Sequence, residues 1–146
     1  IVIAGTSLGG AAAVYLASQQ SESGNSPAAL VTVASFSSMV DVAGNHYPWL
    51  PVGAILVDRY PSDQRIVNVS CPVVVMHGDT DTIVQQRFGR KLFDAAPQQS
   101  VCKVAKRWVN LPNVGHNDLL STGAEVIHRE VNRIVAAVNN KGTTEE

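Results

Sequence analysis

The sequence predicts an α/β protein with a mostly parallel sheet flanked by helices. Two observations carry that expectation. Short unbroken apolar runs rich in β-branched residues recur along the chain, as buried parallel strands require. Longer stretches with helical patterning lie between them, so strand and helix alternate throughout.

The first strand is expected over residues 1–4, Ile-Val-Ile-Ala. Gly5-Thr6-Ser7-Leu8-Gly9-Gly10 follows as a turn, because its three glycines relax the backbone limits. A helix is expected over 10–20, where Ala11, Ala12, Ala13, Leu16 and Ala17 are good helix formers. Residues 21–27 read as a loop of Ser, Gly, Asn and Pro. A second buried strand covers 28–35, centred on Leu30-Val31-Thr32-Val33-Ala34. Residues 36–69 hold Pro48, Pro51 and Pro61 among Tyr47, Trp49 and Tyr60, which points to short helices joined by turns. The third strand is placed at 72–78, with Pro72 at the first position, where a missing N–H is tolerated. A helix over 83–95 turns Phe88, Leu92 and Phe93 inward, and a fourth strand is expected at 106–111. The last helix is placed at 119–139 on the recurrence of Val126, Ile127, Val131, Ile134, Val135 and Val138, with a polar tail at 141–146.

The 146 residues suit one domain, with 45% hydrophobic and 16% charged residues. Eleven basic and 12 acidic residues leave a formal net charge of -1, without a basic stripe. That argues against nucleic acid or an anionic membrane surface as a broad electrostatic partner. Cys71 and Cys102 read as small buried hydrophobes. His46, His77, His116 and His128 lie far apart and form no metal-ligand pattern, so neither a metal nor another cofactor is expected. The chain opens on Ile1, inside an apolar run, and reads as the carboxyl-terminal part of a single domain. The sequence holds no signal peptide and no run of about 20 apolar residues. A cytoplasmic location, or membrane association through a preceding segment, is the expectation.

Gly5-x-Ser7-x-Gly9 fits a nucleophile elbow, following a buried strand and opening a helix. Such a turn holds the serine in a strained conformation and pushes its hydroxyl out at the carboxyl end of the sheet. Gly5 and Gly9 are expected where a side chain would collide with nearby backbone. The helix amino terminus favours an oxyanion, and the N–H of Leu8 is the expected donor. A phosphate-binding glycine loop is the competing reading, but neither G-x-x-x-x-G-K-[ST] nor G-x-G-x-x-G is present after Ile3. A serine needs a base, and the base an orienting group. Asp81, in His77-Gly78-Asp79-Thr80-Asp81, follows the third strand. His116, in Gly115-His116-Asn117-Asp118, follows the fourth. All three residues therefore fall at one sheet edge, where ligands collect in open α/β sheets.

These three motifs, in this order, resemble those of the α/β-hydrolase superfamily, in its branch of esterases, lysophospholipase-like and depalmitoylase-like serine hydrolases. The resemblance covers nearly the whole chain. It implies Ser7 as nucleophile, Asp81 as acid and His116 as base, acting on a small-molecule acyl ester or thioester. It also implies that the strand before Ser7 is the fifth of eight, with the amino-terminal strands and a second oxyanion donor missing. A serine peptidase on the same fold and a non-catalytic truncated fragment are the alternatives.

Other residues compete for roles. Asp79 is expected to hold its turn, Asp118 to cap the final helix, and Asp41 is an alternative acid by position. His77 reads as a satisfied structural histidine, His128 as a surface residue, and His46 as a solvated loop residue or one facing substrate. Trp49, Leu50, Val52, Ile55 and Leu56 either line an acyl pocket or pack on the sheet. Asn68-Val69-Ser70 fits a glycosylation sequon, a triplet common by chance.

Overall fold

The computed structural model describes residues 1–142. Its elements follow in the order β1 (Val2–Thr6), α1 (Leu8–Glu22), β2 (Ala29–Val33), α2 (Met39–His46), α3 (Val52–Ile55), α4 (Ser62–Arg65), a 3₁₀ turn (Ile66–Asn68), β3 (Val73–Gly78), α5 (Gln86–Ala95), β4 (Arg107–Leu111) and α6 (Ala124–Gly142). The four strands form one sheet in the order β1-β2-β3-β4, and every neighbouring pair is parallel.

Consecutive strands add in one direction, and parallel crossovers share one hand, so the connecting elements gather on one face. There α1, the 3₁₀ turn and α5 cover Ile3, Leu30, Val73 and Val75 through Val14, Ala17, Ile66 and Leu92. On the other face α6 covers Val31, Val33, Val74, Met76 and Leu111, with Ile134 buried and Val126, Ile127, Val131 and Val138 packed around it. Strand β2 is buried at all five positions, which is why its sequence lacks the apolar–polar alternation of a half-solvated strand. A third cluster of Ala11, Phe36, Val42, Val84 and Phe88 lies under the loops that leave the sheet.

Several expected boundaries shift for local reasons. The first strand runs through Gly5 and Thr6, which pair with Thr32 and Val33, so the turn narrows to Ser7 and the helix begins at Leu8. Residues 83–85 are a loop, because the Asp81 carboxylate takes the N–H groups of Ile83 and Val84 before α5 opens. Residues 118–123 form turns on the Asp118 carbonyl, so α6 begins five residues later than expected and runs on through Gly142. The remainder of the expected polar tail, 143–146, lies outside the described residues. Phe88 and Leu92 are buried as expected, and Phe93 packs edge-on against Trp108. Cys71 is buried, and burial pushes its thiol up to about 12. Cys102 is exposed instead, because residues 100–103 make a surface turn closed by Lys103 N–H on the Ser100 carbonyl.

Candidate functional site

Ser7 lies between β1 and α1 with φ 54° and ψ -122°, a left-handed conformation that strains a residue bearing Cβ. The backbone is pinned on both sides of it. Its N–H donates to the Val33 carbonyl at 2.9 Å, and its own carbonyl accepts from Gly10 N–H at 3.0 Å. The tightness of this turn excludes side chains at Gly5 and Gly10. A Cβ on Gly5 would lie 2.1 Å from the Gly9 carbonyl oxygen, and one on Gly10 would lie 2.5 Å from Ser35 Cβ. Gly9, expected to be crowded, has open space around it. The glycine that the fold requires at that end of the turn is Gly10, because β2 leads into Ser35 directly beneath it. Leu8 opens α1, so its N–H belongs to the first turn and has no intrahelical acceptor.

Asp81 leaves β3 with its side chain fully buried. Its Oδ1 accepts from Ile83 N–H at 3.0 Å and Val84 N–H at 2.8 Å, and its Oδ2 accepts from His116 Nδ1 at 2.7 Å. Burial by itself raises the Asp81 carboxyl. Hydrogen bonds from His77, His116 and Val84 outweigh it and hold the group below its ordinary value of 3.8. His116 leaves β4 and stands between the two others, with Nε2 3.0 Å from Ser7 Oγ. A carboxylate only accepts, so Nδ1 carries the proton; in the neutral ring Nε2 is then bare and accepts from the Ser7 hydroxyl. Three residues spread over 109 positions thus form one hydrogen-bonded chain at the carboxyl ends of β1, β3 and β4.

The neighbouring residues sort clearly. Asp79 accepts from Asn113 N–H at 2.7 Å and from Asn110 Nδ2 at 3.3 Å, so it ties down the loop that carries His116 rather than, as expected, its own turn. Asp41 is committed elsewhere. It accepts from Ser37 Oγ at 2.5 Å and Lys91 Nζ at 2.7 Å, and although burial raises its carboxyl, these bonds leave it lowered. Asp118 does not cap α6, which starts at Ala124; its carbonyl closes the preceding turns instead. His46 is exposed at the end of α2 and bonds the Ile83 carbonyl through Nε2 at 2.8 Å. His128 is exposed. His77 is fully buried and bonds the Val84 carbonyl at 2.7 Å, but its Nδ1 has no partner, so the expected full satisfaction holds for one nitrogen. Its approach to Asp81, 3.5 Å from Nε2 to Oδ2, is absent from the sequence-based expectations; the four-residue spacing from His77 to Asp81 is the signal that could have found it. Asn68 donates to Glu22 at 2.7 Å.

Trp49 is 76% exposed and stands edge-on to Tyr47, while Leu50 is half-buried. Within 49–56 only Val52 is buried, so neither a closed pocket nor ordinary core packing describes the segment. A cavity of about 260 Å³ lies between β4 and α6, lined by Val74, Lys106, Arg107, Glu130 and Ile134 among others, and takes no lining from Ser7, Asp81 or His116. Among the described residues no group of three or more His, Cys, Asp or Glu is placed to hold a metal ion, and no helix is long and apolar enough to cross a membrane.

A parallel sheet with a hydroxyl, imidazole and carboxylate in line at its carboxyl edge is the arrangement of a hydrolase. The serine hydrolase (FSH1) family model matches residues 1–108, and the chain belongs to that family. Its fold is the α/β-hydrolase fold: the esterase domain of a Rhodothermus marinus protein superposes with a TM-score of 0.64 at 20% identity, over 94% of this chain and 59% of that one. Rv2307c of Mycobacterium tuberculosis is 45% identical over 114 residues, covering 78% of this chain and 37% of that protein. The lysophosphatidylserine lipase ABHD12 of Danio rerio is 31% identical over 111 residues, covering 67% of this chain and 29% of that protein. The chain therefore spans well under half the length of these curated relatives.

Proposed function

We propose that this serine hydrolase cleaves a carboxylic ester or thioester through an acyl-serine intermediate, with Ser7 as nucleophile, His116 as general base and Asp81 as the group that orients it. The observation that carries the reading is the chain from Ser7 Oγ to His116 Nε2, 3.0 Å, and from His116 Nδ1 to Asp81 Oδ2, 2.7 Å. His116 Nε2 takes the hydroxyl proton as Ser7 Oγ attacks the carbonyl carbon. Asp81 fixes the tautomer and stabilises the imidazolium. The Leu8 N–H, at the amino terminus of α1, supports the tetrahedral oxyanion. His116 then gives its proton to the departing alcohol or thiol. Water, deprotonated by the same nitrogen, releases the acid from the acyl-serine.

The zebrafish relative is a lysophosphatidylserine lipase, and a lysophospholipid ester is accordingly the first substrate class to try. The exposed ring of Trp49 and the half-buried Leu50 are the proposed contacts for its acyl chain. A fluorophosphonate probe tests the chemistry without choosing a substrate. The parent protein is expected to label and Ser7→Ala to stay unlabelled, with ester turnover falling by roughly 10⁵–10⁶ in the variant. Labelling or turnover that survives Ser7→Ala sinks the reading.

A further inference from the structure

The hydrolysis just described leaves one buried imidazole unused. His77 lies near the end of β3, on the face covered by α5, with no exposed surface. Its Nε2 is 2.7 Å from the Val84 carbonyl oxygen and 3.5 Å from Asp81 Oδ2. Both of those atoms accept only, so Nε2 bears the proton, and in the neutral ring Nδ1 is a bare lone pair. That lone pair is buried without a partner. Space for it exists because residue 89 of α5 is glycine, where a Cβ would lie 2.1 Å from Nδ1. A glycine inside a helix and an orphan ring nitrogen are each unfavourable, and both are here on behalf of one ring. The Trp108 ring stacks against the imidazole at 6.4 Å with an interplanar angle of 15°.

What the ring holds is the turn that carries the acid. Val84 is gripped at both ends: its N–H donates to Asp81 Oδ1 at 2.8 Å, and its carbonyl accepts from His77. Asp81 Oδ2 is left facing two imidazoles, His116 at 2.7 Å and His77 at 3.5 Å. We infer that His77 is a positioning residue, whose Nε2–H locks the 81–84 turn and bears on Asp81 Oδ2 so that the carboxylate meets His116 at hydrogen-bond distance. The inference rests on the proposed roles of Ser7, His116 and Asp81.

The test is the proton NMR signal of His116 Nδ1–H, whose low-field position reports the hydrogen bond to Asp81, in the parent protein, His77→Leu and His77→Gln, alongside kcat and KM. Misplacing Asp81 lengthens that bond and moves the signal upfield. His77→Leu is expected to lose that low-field signal, with kcat down at least roughly tenfold and KM nearly unmoved, because a misoriented base weakens the transition state more than substrate binding. Gln reaches the Nε2 position with an N–H that does not titrate, and is expected to restore most of both. Should the His77→Leu variant fail to fold, Gly89→Ala displaces the ring through its new Cβ and is expected to move the His116 signal upfield in the same way. A folded His77→Leu protein with the parent's low-field His116 signal and kcat overturns the inference. So does a loss confined to melting temperature, which would make His77 a core residue only. Failure of the catalytic reading is seen separately, as a parent protein that takes no fluorophosphonate label, whereas the His116 Nδ1–H signal reports on Asp81 placement whether or not the protein turns over.

Discussion

The loops leaving β3 and β4 differ sharply from the segment that leaves β2. Asp79 reaches across to Asn113 and Asn110, Asp81 binds Ile83, Val84 and His116, and a Cβ on Gly78 would lie 2.0 Å from the Val114 carbonyl. These loops are bonded to one another. Residues 47–57, downstream of β2, carry no charged side chain, and within them Tyr47, Trp49, Ile55 and Val57 are 52, 76, 56 and 90% exposed. That stretch is fastened mainly at its ends. His46 bonds the Ile83 carbonyl, and the Arg59 guanidinium caps the carbonyls of Leu56 and Gly53. Proton transfer needs reacting groups held within a fraction of an ångström, whereas an apolar chain needs only area to lie against. Under the proposed function, the two regions answer to those two tolerances.

Asp81→Asn breaks the tight region most directly. An amide can present its NH₂ to His116 Nδ1, which fixes the wrong tautomer and leaves Nε2 protonated toward Ser7. Turnover is expected to fall roughly 10⁴-fold with KM little changed. A loss under about tenfold would mean that the 2.7 Å contact is not used in the reaction.

Gly5→Ala attacks the same region through its backbone. The new Cβ meets the Gly9 carbonyl at 2.1 Å, and neither chain can yield without disturbing the β1–β2 register or the first turn of α1. A loss of about 4 kcal/mol or more in a denaturant titration is expected, at the severe end for single substitutions. The matching change at Gly9, which has open space, should cost little.

Legibility in the sequence follows the same division. The strands are readable because a parallel strand buried on both faces is written as a continuous apolar run, as in β2 and β3. Ser7 and Asp81 are readable because each follows an apolar run within a few residues, whereas β4 is the mixed Arg107-Trp108-Val109-Asn110-Leu111, and His116 is readable from the order of the three motifs. The edges of α5 and α6 are not, since side-chain and carbonyl bonds from Asp81 and Asp118 hold the preceding residues in turns, and those bonds leave no periodic trace. The orphan nitrogen of His77 is equally hidden, because sequence shows a histidine in a strand but not which ring nitrogen meets a partner. Trp49 and its neighbours are ambiguous in the sequence for a reason the structure makes plain: their exposure follows from tertiary packing rather than from spacing.

Acid sharpens the comparison further. Asp81 is held below its ordinary 3.8, so its ionised form stabilises the fold above that value, and the contribution drains away as pH falls below 3.8 and through the depressed folded value. Asp41, raised by burial but drawn down further by Lys91 and Ser37, and Glu130, drawn down by Arg107, add to the same slope. Melting temperature is expected to fall as pH is lowered from about 5 to about 3, and less steeply in Asp81→Asn, which has no carboxylate to protonate at that site. Equal slopes would place the acid sensitivity at Asp41 and Glu130 instead.

Trp49→Ala is the mildest change and probes the loose region alone. The indole is mostly in water and meets Tyr47 edge-on at 6.4 Å, so removing it should alter stability by no more than about 0.5 kcal/mol. If the exposed segment lies along the acyl chain of the substrate, the loss of contact area appears in KM. For a long-chain ester KM should rise several-fold, on the order of 1 kcal/mol, and for an acetyl ester it should stay near the parent value, with kcat similar for both. A rise equal for long and short acyl groups would detach residues 47–57 from chain recognition. A fall in kcat would mean instead that the segment bears on Ser7 and His116, and that the two regions are mechanically coupled through the His46–Ile83 bond.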